Sequence, residues 1–197
     1  YLSRAEKAVR TSVDIIEKVR TLKDIEQSEE GKEIELCSVI EDVLDENKHV
    51  SEDDISFECY FEEVEVFGGP LLEEVFENLL ENAVRHADCD TIRVSGEESD
   101  DSVVCKVEDD GKGIPDDIKG KVFEKGFKKG ENASSGLGLY LVREIVRNYG
   151  GSIEVEDSDL DNVNKTGTTT VGLSTEDGVV MATDMRASLA GRFVSNK

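Results

Sequence analysis

Cationic side chains are scarce in this 197-residue chain. Only 23 lysines and arginines face 46 aspartates and glutamates, which gives a formal net charge of −23. A surface this acidic repels the phosphates of nucleic acids and the headgroups of anionic membranes. The composition therefore excludes general nucleic-acid binding and predicts partners of another kind.

The same acidity carries a second implication, because repulsion between so many carboxylates is tolerated best in concentrated salt, where the Debye length is short. Unpaired acidity of this size is typical of haloarchaeal proteins. We therefore expect a halophilic, haloarchaeal source for the chain, which has a formal net charge of −23.

Metal-binding side chains and long apolar runs are also sparse. The four cysteines are isolated, with no Cys-x-x-Cys pair, and there are only two histidines. This excludes a zinc site and predicts small, buried cysteines in a reducing compartment. Neither a membrane span nor a signal peptide is recognisable, which predicts a cytoplasmic protein and leaves open a membrane anchor upstream of residue 1. The isolated cysteines are Cys37, Cys59, Cys89 and Cys105.

Residues 1–28 have the apolar repeat of an amphipathic helix. A helix with such a stripe needs a partner, and no other segment of the sequence is an obvious one. The pattern therefore predicts a single long helix that forms half of a helical hairpin or of a homodimer seam. The stripe consists of Leu2, Ala5, Val9, Ser12, Ile15 or Ile16, Val19, Leu22 and Ile25.

The rest of the chain mixes strand and helix patterns and is long enough for one domain with appendages. We predict a lid-like mobile loop in the glycine-rich residues 116–135, whose only large apolar side chains are Phe123 and Phe127. The order of elements predicts a two-layer α/β sandwich in the α+β class. Strands are predicted at 34–36, 55–61, 64–67, 91–95, 102–108, 152–156 and 168–173, helices at 37–48, 71–87 and 136–149, and an acidic turn at 96–101.

The predicted helix at 71–87 carries an unusual polar row beside its apolar arc. Asn78 and Asn82 lie one turn apart at the seam between the apolar and the acidic faces, and Arg85 follows. Asparagine is a poor helix-interior residue because its amide competes for backbone hydrogen bonds. The row suits a divalent metal with phosphates. Two exposed amides on a surface helix are the alternative interpretation.

Two glycine-containing turns offer further ligand-binding groups. Asp109 follows a predicted strand, and Gly111 and Gly113 would let the backbone approach a flat base closely. The segment 136–138 (GLG) opens a helix, whose free N–H groups and positive dipole end attract phosphates. Taken alone, the first motif is mostly a turn and the second is as often a plain helix entry.

In this order and spacing, the motifs resemble those of the ATP-binding catalytic domain of sensor histidine kinases. That domain belongs to a superfamily shared with gyrase, heat-shock chaperones and mismatch-repair ATPases. The resemblance covers roughly residues 32–173 and implies that superfamily's two-layer α/β sandwich, preceded here by one long helix. The matching boxes are the asparagine-rich 77–86 (ENLLENAVRH), the glycine-containing 109–115 (DDGKGIP), the phenylalanine-containing 123–127 (FEKGF) and the second glycine box 135–140 (SGLGLY).

The resemblance also implies a site for ATP and Mg²⁺. It makes Asn82 the magnesium ligand with Asn78 supporting, places Asp109 on adenine, and places Arg85 on phosphate or ribose. A lid at 114–135 would contribute Lys128 or Lys129. Ser134 and Ser135 depart from the usual glycine and threonine, which puts the strength of phosphate binding in doubt. The remaining implied nucleotide-binding residues are His86, Gly111, Gly113, Ile114, Phe127, Gly136, Leu137, Gly138 and Leu139.

Asn78 indicates which reaction the site performs, because the gyrase and chaperone branch usually has a glutamate at this position as general base. An amide cannot take a proton, so phosphoryl transfer to a protein is favoured over hydrolysis. The resemblance implies a histidine kinase, with a phosphoacceptor hairpin and a response regulator as partners, and residues 1–30 resemble the second hairpin helix. Neither His49 nor His86 fits the acceptor, so we expect no autophosphorylation by this chain. The alternatives are a regulatory or docking module with a vestigial site, and a protein-serine kinase.

The C-terminal segment has a different resemblance. From about residue 165 it is similar to the start of a mature archaeal proteasome β subunit, with Thr168 as the nucleophile and Asp184 as the catalytic aspartate. The catalytic lysine would lie just past Lys197, so protease activity is not expected. Residues 167–173 also fit the last strand of a kinase domain, and a fusion, a chimera or a frame error would reconcile both. The predicted domains are thus 1–30, 31–173 and 174–197, with no catalytic residue certain.

Overall fold

The structure is a computed structural model and describes residues 2–27, 32–50, 55–61, 64–87, 89–99, 102–128, 135–158 and 166–174. Five helices and seven strands lie within these ranges. The helices are α1 (Leu2–Gln27), α2 (Leu36–Val50), α3 (Leu71–Asn82), α4 (Asp116–Lys119) and α5 (Gly138–Asn148). The strands are β1 (Lys32–Glu35), β2 (Ser56–Tyr60), β3 (Glu65–Gly68), β4 (Thr91–Ser99), β5 (Ser102–Asp109), β6 (Ser152–Ser158) and β7 (Thr166–Ser174).

The strands form one large and one small sheet. The large sheet has the order β2-β4-β5-β7-β6, with β2 and β4 parallel and the other neighbours antiparallel. The small sheet pairs β1 with β3 in antiparallel fashion. Helices α2, α3 and α5 form the second layer. This confirms the predicted two-layer α/β sandwich preceded by one long helix.

The core lies between the two layers and is centred on α3, which packs against α2 and α5. The apolar arc predicted for α3 is confirmed, since most of its members are buried. Each fully buried side chain of this size contributes about 1.5–3 kcal/mol of hydrophobic stabilisation. The buried residues of the central helix pair are Leu72, Val75, Phe76, Leu79, Leu80, Leu141, Val142, Ile145 and Val146.

Most predicted boundaries differ from the structure by one or two residues, and two differ by several. The helix predicted over 71–87 is α-helical only to Asn82 and continues as a π-helical turn, Ala83–Ala87. The Asn82 Nδ2 atom donates to the Asn78 carbonyl oxygen over 2.7 Å, and such side-chain donors compete with the backbone for the last helical carbonyls. The acidic turn predicted at 96–101 is also shorter, because β4 extends to Ser99. The Phe61 ring packs against Gly96 in this strand and leaves no room for a side chain there.

The apolar stripe predicted for α1 stays largely outside the core. Val9, Ile15, Ile16 and Val19 are exposed, whereas Leu22 and Ile25 pack against the core. The helix contacts α5, and its buried side chains among the described residues are the polar Lys18 and Thr21. Dimerisation through residues 1–28 therefore stays a prediction, with an apolar surface available for it.

Two further expectations need correction within the described part of the chain. Among the cysteines, only Cys105 is buried, whereas Cys59 is exposed because it lies on the edge strand β2. The loop after β5 has more apolar anchors than its sequence indicates, since Val122 and Phe123 both reach the core and α4 lies within it. In the same described ranges, no helix has both the length and the apolar character needed to cross a bilayer.

Candidate functional site

The two asparagines of α3 are held in one orientation by their own helix. Asn78 Nδ2 donates to the Glu74 carbonyl oxygen over 2.7 Å, and Asn82 Nδ2 donates to the Asn78 carbonyl oxygen over 2.7 Å. Because only the amide nitrogen can donate to a carbonyl, each amide oxygen must face away from the α3 backbone. The side-chain hydrogen bonds to the backbone that the sequence predicts are therefore present. They fix both amide oxygens in a direction away from the α3 backbone.

The Asn78 oxygen is buried beside the start of α5 without a hydrogen-bond partner among the described residues. Asn78 as a whole is only 4% exposed. A methyl group placed on Gly138 would lie 3.0 Å from Asn78 Oδ1, so a side chain there would require the Asn78 amide to shift. A buried, unpaired amide oxygen costs about 1–3 kcal/mol, which a bound cation or donor would offset. Amide oxygens are hard ligands and fit Mg²⁺.

The turn that leads into α5 is shaped by Gly136, whose φ of 72° lies in the left-handed region that favours glycine. Its carbonyl oxygen accepts a 3.0 Å hydrogen bond from Gly126 N–H. A side chain on Gly136 would meet the Phe127 carbonyl oxygen at 2.6 Å and Lys128 Cγ at 2.8 Å. Residues 126–128 of the predicted lid thus pack directly against the predicted phosphate loop.

The two adjacent aspartates after β5 have different roles. Asp110 Oδ1 accepts hydrogen bonds from the N–H groups of Asp90 and Thr91, both at 2.9 Å, and so fixes the entry to β4. Asp109 accepts one hydrogen bond from Gly111 N–H at 3.0 Å. Burial raises the pKa of Asp109, and the Gly111 N–H only partly offsets this. Asp109 is therefore a half-buried carboxylate with acceptor capacity left for a ligand.

The Asp109 turn lies close to the end of α3. Cys89 Sγ is 3.9 Å from the Ala83 carbonyl oxygen, and burial followed by the charge of Asp109 raises the pKa of Cys89 to about 11. Gly113 has a φ of 66°, and Ile114 packs partly against the core. Cys89 therefore lies beside the π-helical turn and within electrostatic range of the Asp109 carboxylate.

The predicted cationic side chains Arg85 and Lys128 lie at the protein surface. Arg85 is exposed, and its Nη2 lies 2.7 Å from Glu81 Oε1 on its own helix. Lys128 is exposed, and Phe127 is half-buried. Lys129, Ser134 and Asp184 lie outside the described residues, as does the side chain of His86.

The second glycine box lies on buried backbone. Gly138 and Leu137 are buried, and Leu139 packs partly against the core. Ser135 is also buried, and its hydroxyl oxygen has no hydrogen-bond partner among the described residues. Gly111 is buried in the Asp109 turn. Among the described residues, the predicted metal-binding amides and the second glycine box therefore meet where α3 approaches the start of α5.

Sequence reasoning missed two α1 residues that reach this site. Lys18 is 7% exposed and lies 2.6 Å from Asp14 Oδ1 and 3.6 Å from Glu81 Oε2. The only sequence signal is the i, i+4 spacing of Asp14 and Lys18, which is common on solvated helix faces. Whether Asp14 and Lys18 reach the site depends on which face of α1 packs against the domain. The apolar stripe predicted a different packing face.

Thr168 lies in an interior strand of the large sheet. In β7 its backbone is paired with Glu108 of β5 on one side and Glu156 of β6 on the other. A chain that began at Thr168 would lose the pairs that Thr166 and Gly167 make. The predicted last strand of the kinase-like domain is therefore present, and the same residues begin the proteasome-like segment.

Comparison with sequence families gives two matches. The model of the histidine kinase-, DNA gyrase B- and HSP90-like ATPase family matches residues 68–178, more than half of the chain. The model of the proteasome subunit family matches residues 164–197. The two matches overlap in β7.

Curated relatives divide in the same way. The C-terminal segment is 80% identical over 44 residues to a proteasome β subunit of Natrialba magadii, covering 22% of this chain and 18% of that protein. The alginate biosynthesis sensor protein KinB of Pseudomonas aeruginosa is 43% identical over 89 residues, covering 43% of this chain and 14% of KinB. The chain thus spans less than a fifth of the length of each.

Solved structures share the fold over most of the described domain. The mycobacterial sensor histidine kinase MprB superposes with a TM-score of 0.66 and 25% identity, covering 73% of this chain and 97% of that structure. The Acinetobacter baumannii histidine kinase AdeS superposes with a TM-score of 0.67 and 22% identity, covering 85% and 80%.

Proposed function

The chain belongs to the histidine kinase-, DNA gyrase B- and HSP90-like ATPase family, and from this premise we propose that residues 31–173 are the Mg-ATP-binding catalytic domain of a two-component sensor histidine kinase. The observation that carries the proposal is the Asn78 amide oxygen. It is buried, unpartnered among the described residues and directed at the start of α5. The names of KinB and MprB, a sensor protein and a sensor histidine kinase, support the kinase branch of the family.

In this proposal each part of the site has one task. Asn82 ligates Mg²⁺ with Asn78 supporting, and the phosphates lie at the N-terminus of α5, where free N–H groups and the helix dipole favour anions. Asp109 accepts a hydrogen bond from the adenine amine. Lys128 and Lys129 belong to the lid, and Arg85 turns from Glu81 to the nucleotide. Mg²⁺ bound here would neutralise part of the negative charge of the phosphates.

The amide at position 78, in place of an acidic side chain, decides between ATP hydrolysis and phosphoryl transfer. An amide cannot accept a proton from water, so the site favours transfer of the γ-phosphoryl group to a positioned side chain over hydrolysis. We propose a histidine on a separate helical hairpin as the acceptor and a response regulator as the next partner. No protease activity is proposed for the segment after β7.

Nucleotide binding is the direct test. Isothermal titration of the chain with Mg-ADP should show binding that falls at least about tenfold in Asn82→Ala and in Asp109→Ala, because each loses an interaction worth about 1.5 kcal/mol or more. Matched controls are Glu73→Ala on the exposed face of α3 and Asp42→Ala on the exposed face of α2. Both should bind like the parent.

Two outcomes would revise the proposal in different ways. If the parent binds no nucleotide in either low or high salt, the nucleotide-binding function is wrong. If it binds Mg-ATP but transfers no labelled phosphate to any added hairpin domain, a regulatory module with vestigial catalysis is the better description. Label appearing on serine would point to a protein-serine kinase.

A further inference from the structure

The first turn of α3 receives no side-chain cap from its N-cap residue. Pro70 occupies that position, has no backbone N–H and makes no side-chain hydrogen bond to the helix. The Leu72 N–H donates to the Gly69 carbonyl oxygen over 3.0 Å, within the turn that opens the helix. The Leu71 N–H is one of the donors that a helix start leaves without a partner inside the helix. A partner for it has to come from elsewhere in the fold.

The Tyr149 hydroxyl, at the end of α5, reaches this turn. Tyr149 is only 4% exposed. A methyl group placed on Gly69 would clash with Tyr149 Oη and lie 3.0 Å from Tyr149 Cζ, so the hydroxyl lies against the Gly69 backbone. Burial raises the pKa of Tyr149, and a hydrogen bond from the Leu71 N–H to the hydroxyl oxygen partly offsets this. A side chain of α5 therefore supplies the missing cap of α3.

The opposite ends of the same two helices meet at the candidate nucleotide site. A methyl group on Gly138, at the start of α5, would lie 3.0 Å from Asn78 Oδ1 and 3.7 Å from Asn82 Nδ2. The pair of helices is thus held at two places, one beside the proposed magnesium ligands and one beside Tyr149. A helix is a rigid rod with a rise of about 1.5 Å per residue, so a slide of α3 at Leu71 is transmitted to both asparagines.

We propose that Tyr149 is a positioning residue for the nucleotide site, because its hydroxyl sets the register of α3 on α5 and thereby the placement of the Asn78 and Asn82 amides. The inference rests on the proposed function, since Tyr149 acts on the same site through α3. Mg²⁺ requires near-octahedral ligands at about 2.0–2.1 Å, so a small shift of an amide oxygen weakens its ligation. Hydrogen bonds to the nucleotide tolerate about 2.7–3.2 Å. Loss of the hydroxyl should therefore weaken the magnesium-dependent part of binding.

The first test compares ADP affinity with and without magnesium in the full chain. Tyr149→Phe removes one buried oxygen and keeps the ring, and Ile153→Val removes one buried carbon on the edge strand β6. We expect Tyr149→Phe to bind Mg-ADP at least about threefold more weakly than the parent, because one hydrogen bond no longer favours the binding register. Its affinity for ADP in EDTA should equal that of the parent. Ile153→Val should match the parent in both measurements.

A second variant perturbs the same contact from the α3 side. The methyl group added in Gly69→Ala would clash with the Tyr149 hydroxyl, so Mg-ADP affinity should fall here too. In the double variant Gly69→Ala/Tyr149→Phe the hydroxyl is gone, so the combined loss should be smaller than the product of the two single losses. Losses that multiply would show that the two residues act independently, and the inference would be overturned.

Hydrogen exchange at the Leu71 amide tests the cap without any nucleotide. Followed by NMR in the unliganded chain, this amide should exchange faster in Tyr149→Phe than in the parent, relative to the other amides of α3. In Ile153→Val it should keep the parent's relative rate. Equal relative protection of Leu71 in Tyr149→Phe and in the parent would show that the hydroxyl does not cap the helix, which also overturns the inference.

The outcomes separate this inference from the proposed function. If the parent binds Mg-ADP and Tyr149→Phe binds it equally well, only the positioning role is overturned. An equal loss with and without magnesium also overturns it, since a general weakening of the fold would affect both forms of the ligand. If the parent binds no nucleotide, the proposed function fails and the inference with it.

Discussion

At the residue scale, neighbouring aspartates show how position decides the role of one side-chain type. Asp110 uses its carboxylate to fix the backbone of Asp90 and Thr91, whereas Asp109 makes one backbone contact, to Gly111. The raised pKa of Asp109 means that its charge is less favourable in the folded state than in the unfolded chain. A charge that destabilises the fold is typical of functional sites.

This gives a pH-dependent prediction for Asp109→Asn. Above its raised folded-state pKa, the parent has an ionised, partly buried carboxylate that lowers stability, so the variant should have the higher melting temperature at pH 7. As pH falls through that pKa toward the ordinary value of 3.8, the parent becomes protonated and the difference should shrink. Thermal denaturation at several pH values measures it.

The control for this prediction is Asp117→Asn on α4, which is exposed. Its melting temperature should follow that of the parent across the same pH range. A difference between Asp109→Asn and the parent that grows on acidification would contradict the assigned direction of the pKa shift.

At the element scale, α5 depends on a glycine at its end as well as at its start. Gly150 has a φ of 82°, and the N–H groups of Gly150 and Gly151 bond to the carbonyl oxygens of Arg147 and Val146. This is the arrangement in which a left-handed glycine stops a helix and satisfies its last carbonyls. It ends α5 at Asn148, one residue before the predicted end of this helix.

Replacing this glycine should therefore destabilise the fold without touching the site. Gly150→Ala should lower the free energy of unfolding by about 1 kcal/mol, because alanine is strained at positive φ. Gly120→Ala is the matched control, since Gly120 has a φ of −67° and open space around it. Urea denaturation should show it neutral or slightly stabilising, and equal losses in both variants would refute the left-handed cap.

At the scale of the whole molecule, two sequence families meet in one sheet. Residues 164–178 are common to the ATPase match at 68–178 and the proteasome match at 164–197. The strand β7 within them lies between β5 and β6 rather than at an edge. The segment that matches haloarchaeal proteasome β subunits thus begins inside the ATPase sheet.

The net charge of −23 also acts on the whole molecule. Repulsion among surface carboxylates falls as the Debye length shortens from about 10 Å at 0.1 M salt to about 3 Å at 1 M. The melting temperature should rise between 0.05 and 1 M KCl at pH 7. At pH 5, closer to the isoelectric point of about 4.4, the rise should be smaller, and a melting temperature that is independent of KCl at pH 7 would contradict this account.

The sequence by itself determined the order of the elements apart from α4 and the π-helical turn, the buried arc of α3, the asparagine seam and the glycines at both ends of α5. These follow from helical and strand periodicity and from backbone preferences, which act over a few residues. The direction of the Asn78 side-chain oxygen follows from the sequence only in part. It depends on the hydrogen bond to the Glu74 carbonyl within α3 and also on the close approach of Gly138 from α5.

Only the tertiary structure decided that Lys18 of α1 lies beside Glu81 of α3, that Gly96 faces the Phe61 ring, and that β7 is an interior strand. Each of these depends on contacts between segments far apart in the chain. Local periodicity carries no information on which polar face of α1 will meet α5, because an i, i+4 charge pair looks the same whether it is solvated or buried.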